Sequence, residues 1–154
     1  GEKVPEFLVW AQKDKHSASL QRIQIIKGSI TNSGARPSEK VFDVVCSDGL
    51  KVDPTTHRCP DNGARVNIED CSITSNVGAT ELKATWRDPE FNPKDKAFYY
   101  VRVLENPTCR WSTWDALKAG IKPRSDLHET IQERAWSSPI WYIPVPEDID
   151  IFAL

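Results

Sequence analysis

Apolar and polar residues alternate with a period of two along much of the chain, which predicts a mainly β protein. The pattern is clearest from Thr80 to Arg87. There Leu82, Ala84 and Trp86 point to one side, and Glu81, Lys83, Thr85 and Arg87 to the other, wet side. Phe98 to Leu104 is aromatic and β-branched throughout and reads as the strongest strand. Further strands are expected at residues 6–11, 20–27, 40–46 and 140–143, with a short one around Ala64–Ile68. In the 40–46 strand the alternation places Phe42, Val44 and Cys46 on one face and Asp43 on the other. Turns are expected at Asn32-Ser33-Gly34 and across Asp88–Pro93, where two prolines fix the backbone.

One helix interrupts this pattern near residues 112–120. Ser112 is the expected N-cap, Asp115 a capping-box acid and Gly120 the C′ glycine, with Trp111, Trp114, Ala116 and Leu117 as the buried stripe. Residues 129–135 read as a further short turn or helix. Seven short strands and one inserted helix suggest an antiparallel two-sheet sandwich of immunoglobulin or fibronectin kind, with an open barrel as the second choice. The 154 residues suit a single domain, 1–154. An acidic tail at 145–154 is expected to lie on the surface or dock on a neighbour.

Composition narrows the function classes. Eleven prolines against seven glycines favour fixed turns and edge strands over long helices. A formal net charge of −2 gives no concentrated basic face for nucleic acid. There is no run of eighteen apolar residues, so no membrane partner is expected either. The start at Gly1, without Met or a signal-peptide pattern, reads as the C-terminal fragment of a longer chain. Four cysteines, Cys46, Cys59, Cys71 and Cys109, contain no CxxC pair. They read as two disulfides stapling loops, with three possible pairings, and place the chain in a periplasmic or secreted setting.

The candidate chemistry is sparse. His16, His57 and His128 lie in loops far apart in sequence and read as solvated. The oxygen-bearing run Asp88-x-Glu90-x-Asn92-x-x-Asp95 lacks the central glycine and twelfth-position glutamate of a calcium loop, and reads as a rigid turn. There is no GxSxG elbow, and a Cys109–His128 dyad is a poorer use of a cysteine than a bridge. No catalytic residue, metal ligand or cofactor is therefore assigned. Six tryptophans remain. Trp10, Trp86 and Trp141 lie on strand faces and are expected to fill the core. Trp111, Trp114 and Trp136, with Arg110 and Arg134 beside them, are the candidates for an interdomain or ligand contact.

Four blocks carry a resemblance: Pro5–Ala11, Ala97–Glu105, Pro107–Thr113 and Ile131–Tyr142. They are similar to the C-terminal end of a large bacterial family of unknown function. Its long members resemble the PHP (polymerase and histidinol phosphatase) superfamily of metal-dependent phosphoesterases. The resemblance implies that catalysis belongs to an upstream barrel whose histidines and acids hold metal ions. Those motifs are missing here, so no catalytic residue carries over. The expected role is a non-catalytic accessory domain packing on that upstream domain of the same polypeptide, with self-association as a possible substitute. A carbohydrate or small-ligand module built on exposed tryptophans is the alternative. In a minor variant, Arg110 or Arg134 reaches into the neighbouring active site and holds an anionic substrate.

Overall fold

The structure, a computed structural model, describes residues 4–30 and 36–144. The expected turn at 32–34 and the tail at 145–154 lie outside the described residues. In chain order the elements are β1 (Glu6–Gln12), β2 (Leu20–Ile30), β3 (Ser38–Cys46), β4 (Glu81–Arg87), β5 (Lys96–Glu105), β6 (Thr108–Cys109), helix α1 (Trp111–Ala119), β7 (Thr130–Ile131), β8 (Arg134–Trp136) and β9 (Ile140–Tyr142). The chain is thus mainly β, with antiparallel sheets and one short helix. A five-stranded sheet runs β3-β2-β5, with β8 and β9 both paired to the far edge of β5. A β1-β4 ribbon and a short β6-β7 pair make up the rest. Sheets of five, two and two strands match the antiparallel β expectation without establishing an immunoglobulin-like arrangement.

The ribbon packs on one face of the large sheet, and the core lies between them. Val9 and Leu82 from the ribbon meet Leu20, Ile23, Ile25, Ala97 and Tyr99 from the sheet, all buried. Phe42 joins the ribbon side, with its ring centroid 5.2 Å from that of Trp86. Ile23 and Ile25 are essentially without exposed surface. Each such side chain contributes about 1.5–3 kcal/mol through removal from water. The β4 alternation read from the sequence holds: Leu82 is buried, Ala84 and Trp86 are half-buried, and the four polar residues are exposed.

Several sequence expectations need correction. Trp10 and Trp141 do not fill the core but are each 67% exposed. Phe7, Val9 and Ala11 supply the inward face of β1, so Trp10 and Leu8 must point out. In β3 a bulge shifts the register between Ile23 and Gln24 of β2. Phe42 and Val45 then stand opposite Ile25 and Ile23, while Asp43 stands opposite Gln24 and Cys46 opposite Arg22. Asp43 keeps the face opposite Phe42, yet it is buried, because Gln24 and the Cys59 N–H close over that face. The strand expected at 64–68 shrinks to a single bridge, Val66 to Ile73. Its neighbourhood is held by turns in which the Asp61, Asn67 and Asp70 carboxylate or amide oxygens accept backbone N–H groups two residues on.

Residues 129–135 are neither turn nor helix. β7 pairs with β6 and β8 with β5, so tertiary pairing overrides local preference. The helix begins one residue before Ser112. Arg110 occupies the N-cap without a side-chain cap bond, because a guanidinium has no acceptor to offer the helix N–H groups, and its own N–H donates to the Glu129 carbonyl at 2.9 Å. Gly120 ends the helix as expected, in the left-handed region at φ 67°. Only Thr113 and Ala116 are buried on the helix; Trp111 and Trp114 are exposed.

The disulfides pair Cys46 with Cys59 and Cys71 with Cys109, across 13 and 38 residues. The first ties the end of β3 to the following loop, and the second ties the 61–79 region to β6. Nearby, Asn62 donates to the Asn106 side-chain oxygen at 2.9 Å, and Asn106 donates to the Val77 carbonyl at 2.9 Å. On the core face Lys27 is buried against Asp88, with N to O 2.5 Å. The Tyr99 hydroxyl donates to the same carboxylate at 2.7 Å, and Lys27 donates to the Glu90 carbonyl at 2.8 Å. Burial, then the bond to Asp88 and its charge, push the Tyr99 hydroxyl well above the ordinary phenol range. Asp88 therefore anchors the 88–95 turn onto the sheet.

Removing the Asp88 carboxylate leaves a buried ammonium without its partner. Asp88→Ala is expected to cost about 3–5 kcal/mol, and Tyr99→Phe about 1.5–3 kcal/mol. Urea denaturation checks both, and an unchanged midpoint for Asp88→Ala would mean that Lys27 is effectively solvated. Opening Cys71–Cys109 by paired Cys→Ala substitution is expected to cost about 4 kcal/mol, and Cys46–Cys59 about 3 kcal/mol, from loop length alone. The same denaturation series tests the order.

Candidate functional site

β2 and β5 carry a second face, turned away from the ribbon. Residues directly opposite in the ladders share a face, so this one can be followed strand by strand. Phe98 stands opposite Gly28 on one side and Trp141 on the other. Tyr100 follows, opposite Ile26, and then Arg102, opposite Gln24 and Trp136. Last is Leu104, opposite Arg22 and Arg134. The face thus passes from aromatic at one end to cationic at the other.

At the aromatic end, the Phe98 ring lies over the backbone of Gly28, where any Cβ would overlap it. Phe98 and Tyr100 stack with centroids 6.4 Å apart and planes 11° from parallel, and Trp141 leans on Phe98 at 5.3 Å. Phe98 and Trp141 border an open, mostly apolar groove of about 520 Å³, also lined by Ile30, Lys96 and Ile143. Trp136 and Trp141 are 60% and 67% exposed, Ile143 is exposed beside them, and Ile140, opposite Tyr99, is exposed on the other face of the same edge. Phe98 and Trp141 were not candidates on sequence grounds, because strand aromatics usually fill a core.

At the other end a polar network replaces the aromatics. Gln24 donates to Asp43 at 2.5 Å and accepts from Arg102 Nε at 2.7 Å. Asp43 also accepts from the Cys59 N–H at 2.7 Å, and Arg22 and Arg58 lie 3.6 and 3.8 Å from its oxygens. Burial lowers the pKa of Arg22 below its ordinary value. Arg58, Arg102 and Arg134 push it further down, against the pull of Asp43. That cluster is more positive than its one carboxylate can balance.

Beside it lies a cleft of about 470 Å³ between the 61–65 loop, the Pro107–Arg110 segment and the strands β7 and β8. Arg110 and Arg134, singled out in the sequence, both line it, together with Arg65, His128 and Asp61. The other candidates fall elsewhere. Trp136 stands on the sheet face, Trp111 is exposed on the helix, and Trp114 lines a small hollow over the Cys71–Cys109 bridge. Arg65 is paired to Asp61 through both ends of its guanidinium, and those bonds, with one from the Gly63 N–H, pull the Asp61 pKa down to about 2. The Arg110 Nε is shut off from solvent and has no hydrogen-bond partner. Among the described residues no group of three or more His, Cys, Asp or Glu is placed to hold a metal ion. Likewise no helix among them is long and apolar enough to cross a membrane.

The sequence also matches a family model described as "Protein of unknown function (DUF3604)", over residues 1–144. The chain belongs to this family. The match spans the ribbon, the large sheet and the cationic cleft, so every feature described above is part of the family's domain. The family's description carries no activity, and these findings provide no link to the PHP superfamily. No curated protein and no solved structure matches the chain.

Exposure separates the tryptophans into two stability classes. Trp136→Ser and Trp141→Ser are expected to change unfolding free energy by no more than about 0.5–1 kcal/mol, as for other surface positions. Trp86→Ala, half-buried against Phe7, Phe42 and Tyr99, is expected to cost about 2–3 kcal/mol, somewhat less than a fully buried tryptophan. Urea midpoints of the three variants provide the comparison.

Proposed function

We propose that this chain is a non-catalytic docking domain, whose aromatic sheet face packs on a neighbouring domain of the same polypeptide. The observation that carries the reading is the exposure of Trp136, Trp141 and Ile143 along the open face of the five-stranded sheet, at its β8-β9 edge. Apolar surface gathered in this way ordinarily marks an interaction site. Its borders are polar and charged, with Arg102 and Arg134 at one end and Lys96 at the other, as expected of an interface rim.

The neighbour we favour is an upstream metal-dependent hydrolase domain of phosphoesterase type, the partner implied by the resemblance to PHP proteins. That assignment rests on analogy between families. An immunoglobulin-like sandwich is the finer fold we favour, with the ribbon and the large sheet as its two layers. The two disulfides favour folding in an oxidising compartment, periplasmic or extracellular. A second reading, a carbohydrate or other small-ligand module, draws support from the groove lined by Phe98 and Trp141, since a flat ring can stack on such a surface.

Calorimetric titration of the chain with a separately purified upstream domain tests the docking reading. A saturable complex is expected, weakened at least about tenfold (1.4 kcal/mol) by Trp136→Ser or Trp141→Ser. Trp10→Ser, on the outer side of the ribbon, should leave it unchanged. No complex, or equal weakening by Trp10→Ser, would overturn the reading. Quenching of tryptophan emission by one member of a glycan panel, lost in Trp141→Ser, would establish the second reading instead.

A further inference from the structure

We infer that the cleft lined by Arg110 and Arg134 is a binding site for a phosphate-type oxyanion. This goes beyond the docking reading and does not rest on it. Three observations carry it. First, of the three arginines lining the cleft only Arg65 has a carboxylate within ion-pair distance, its partner being Asp61, while Arg110 and Arg134 have none among the described residues. Second, the Arg110 Nε is buried without any acceptor. A buried charged donor with no partner is costly, and a bound anion would relieve that cost by neutralising the guanidinium. Third, the two arginines are fixed to different parts of the fold and still border one cleft. Arg110 is held by its N–H bond to Glu129 and by the neighbouring Cys71–Cys109 bridge. Arg134 is held by the β8–β5 ladder.

The geometry also bears on the class of anion. A planar carboxylate is satisfied by one bidentate guanidinium, as Arg65 and Asp61 show at the mouth of this same cleft. Two further guanidiniums reaching the cleft from separate elements suit a tetrahedral anion with three or four acceptor oxygens. Thr130 lines the same space and can add a neutral donor. A volume of about 470 Å³ leaves room for a small molecule attached to the anion, since ligand clefts run from about 300 to 1,000 Å³. Free phosphate and a phosphate ester share this chemistry.

The test is calorimetric titration of the chain at low salt with inorganic phosphate, glucose 6-phosphate and acetate. The variants are Arg110→Gln and Arg134→Gln, with Arg87→Gln as a control on the exposed outer side of the ribbon. Circular dichroism checks folding, and Arg134 is exposed enough for its variant to stay folded even if Arg110→Gln does not. Saturable phosphate binding is expected, weakened about tenfold by either cleft variant and unchanged in Arg87→Gln. Tighter binding of glucose 6-phosphate would identify an ester as the ligand class, and equal binding would identify the free oxyanion. No saturable binding, acetate binding as tight as phosphate, or equal weakening by Arg87→Gln would overturn the inference. Phosphate binding with Trp136→Ser intact would hold even if no upstream domain docks, so the two readings fail separately.

Discussion

Burial of β2 on both of its faces is the constraint on which the other elements depend. The strand is flanked by β3 and β5, so its backbone is paired on both edges, and six successive residues from Ile23 to Gly28 are buried. Ile25 faces the ribbon while Ile26, its neighbour, is equally buried on the far side between Val41 and Tyr100. A strand of this kind needs cover above and below. The β1-β4 ribbon supplies one cover with Val9, Leu82 and Trp86. The other is supplied by large side chains of the sheet itself, which lie along it and remain partly open to solvent.

Double burial also forces polar groups inside, and the structure satisfies them in pairs. Lys27 faces the core and is neutralised by Asp88, which brings the 88–95 turn down onto the sheet. Gln24 faces the other way and is satisfied by Asp43 and Arg102. Asp43 in turn takes the Cys59 N–H, so the loop closed by the Cys46–Cys59 bridge is fastened by its hydrogen bonds as well as by its covalent link. Each pair offsets a desolvation cost that would otherwise oppose the central strand. The long connection between β3 and β4 has little regular structure, yet it is held by the second bridge and by the Asn62–Asn106 contact.

The sequence makes the principal strands and the helix legible because their signals are local: alternation in β4, β-branched and aromatic content in β5, and a terminal glycine after α1. The pairing of β8 with β5 is not local. Nothing within Arg134-Ala135-Trp136 shows that β5 has a free edge, so that segment reads locally as turn or helix. The bulge opposite Ile23 and Gln24 defeats simple alternation in the same way, because one extra residue puts Val45 on the face of Phe42 and moves Cys46 to the face of Asp43. Tryptophan placement failed for a related reason. Trp10 and Trp141 sit on strands with the right period, but which face is covered depends on what packs there. For the candidate site, the sequence picked out Arg110 and Arg134 as neighbours of exposed tryptophans. Only the β6-β7 and β5-β8 pairings bring them to one cleft, and Arg65 and His128 join them through loops with no periodic signal at all.

The two proposals meet on a single surface. Along β5 the open face changes from Phe98 and Tyr100 to Arg102, and along the edge strands from Trp141 to Trp136 and Arg134. A partner covering the aromatic end would bury apolar area at the centre of its contact and bring its own rim against the guanidiniums. Excluding water there would strengthen every charge interaction of Arg102 and Arg134. The cleft beside them would then be partly roofed, and an oxyanion held by Arg110 and Arg134 would lie at the seam between the two surfaces. Docking and anion binding would in that case reinforce one another, since whatever binds the docked state more tightly stabilises it by the same free energy. The separation of an apolar end from a cationic end is what makes that coupling physically available: the first provides adhesion, and the second provides a charge whose compensation depends on what is bound.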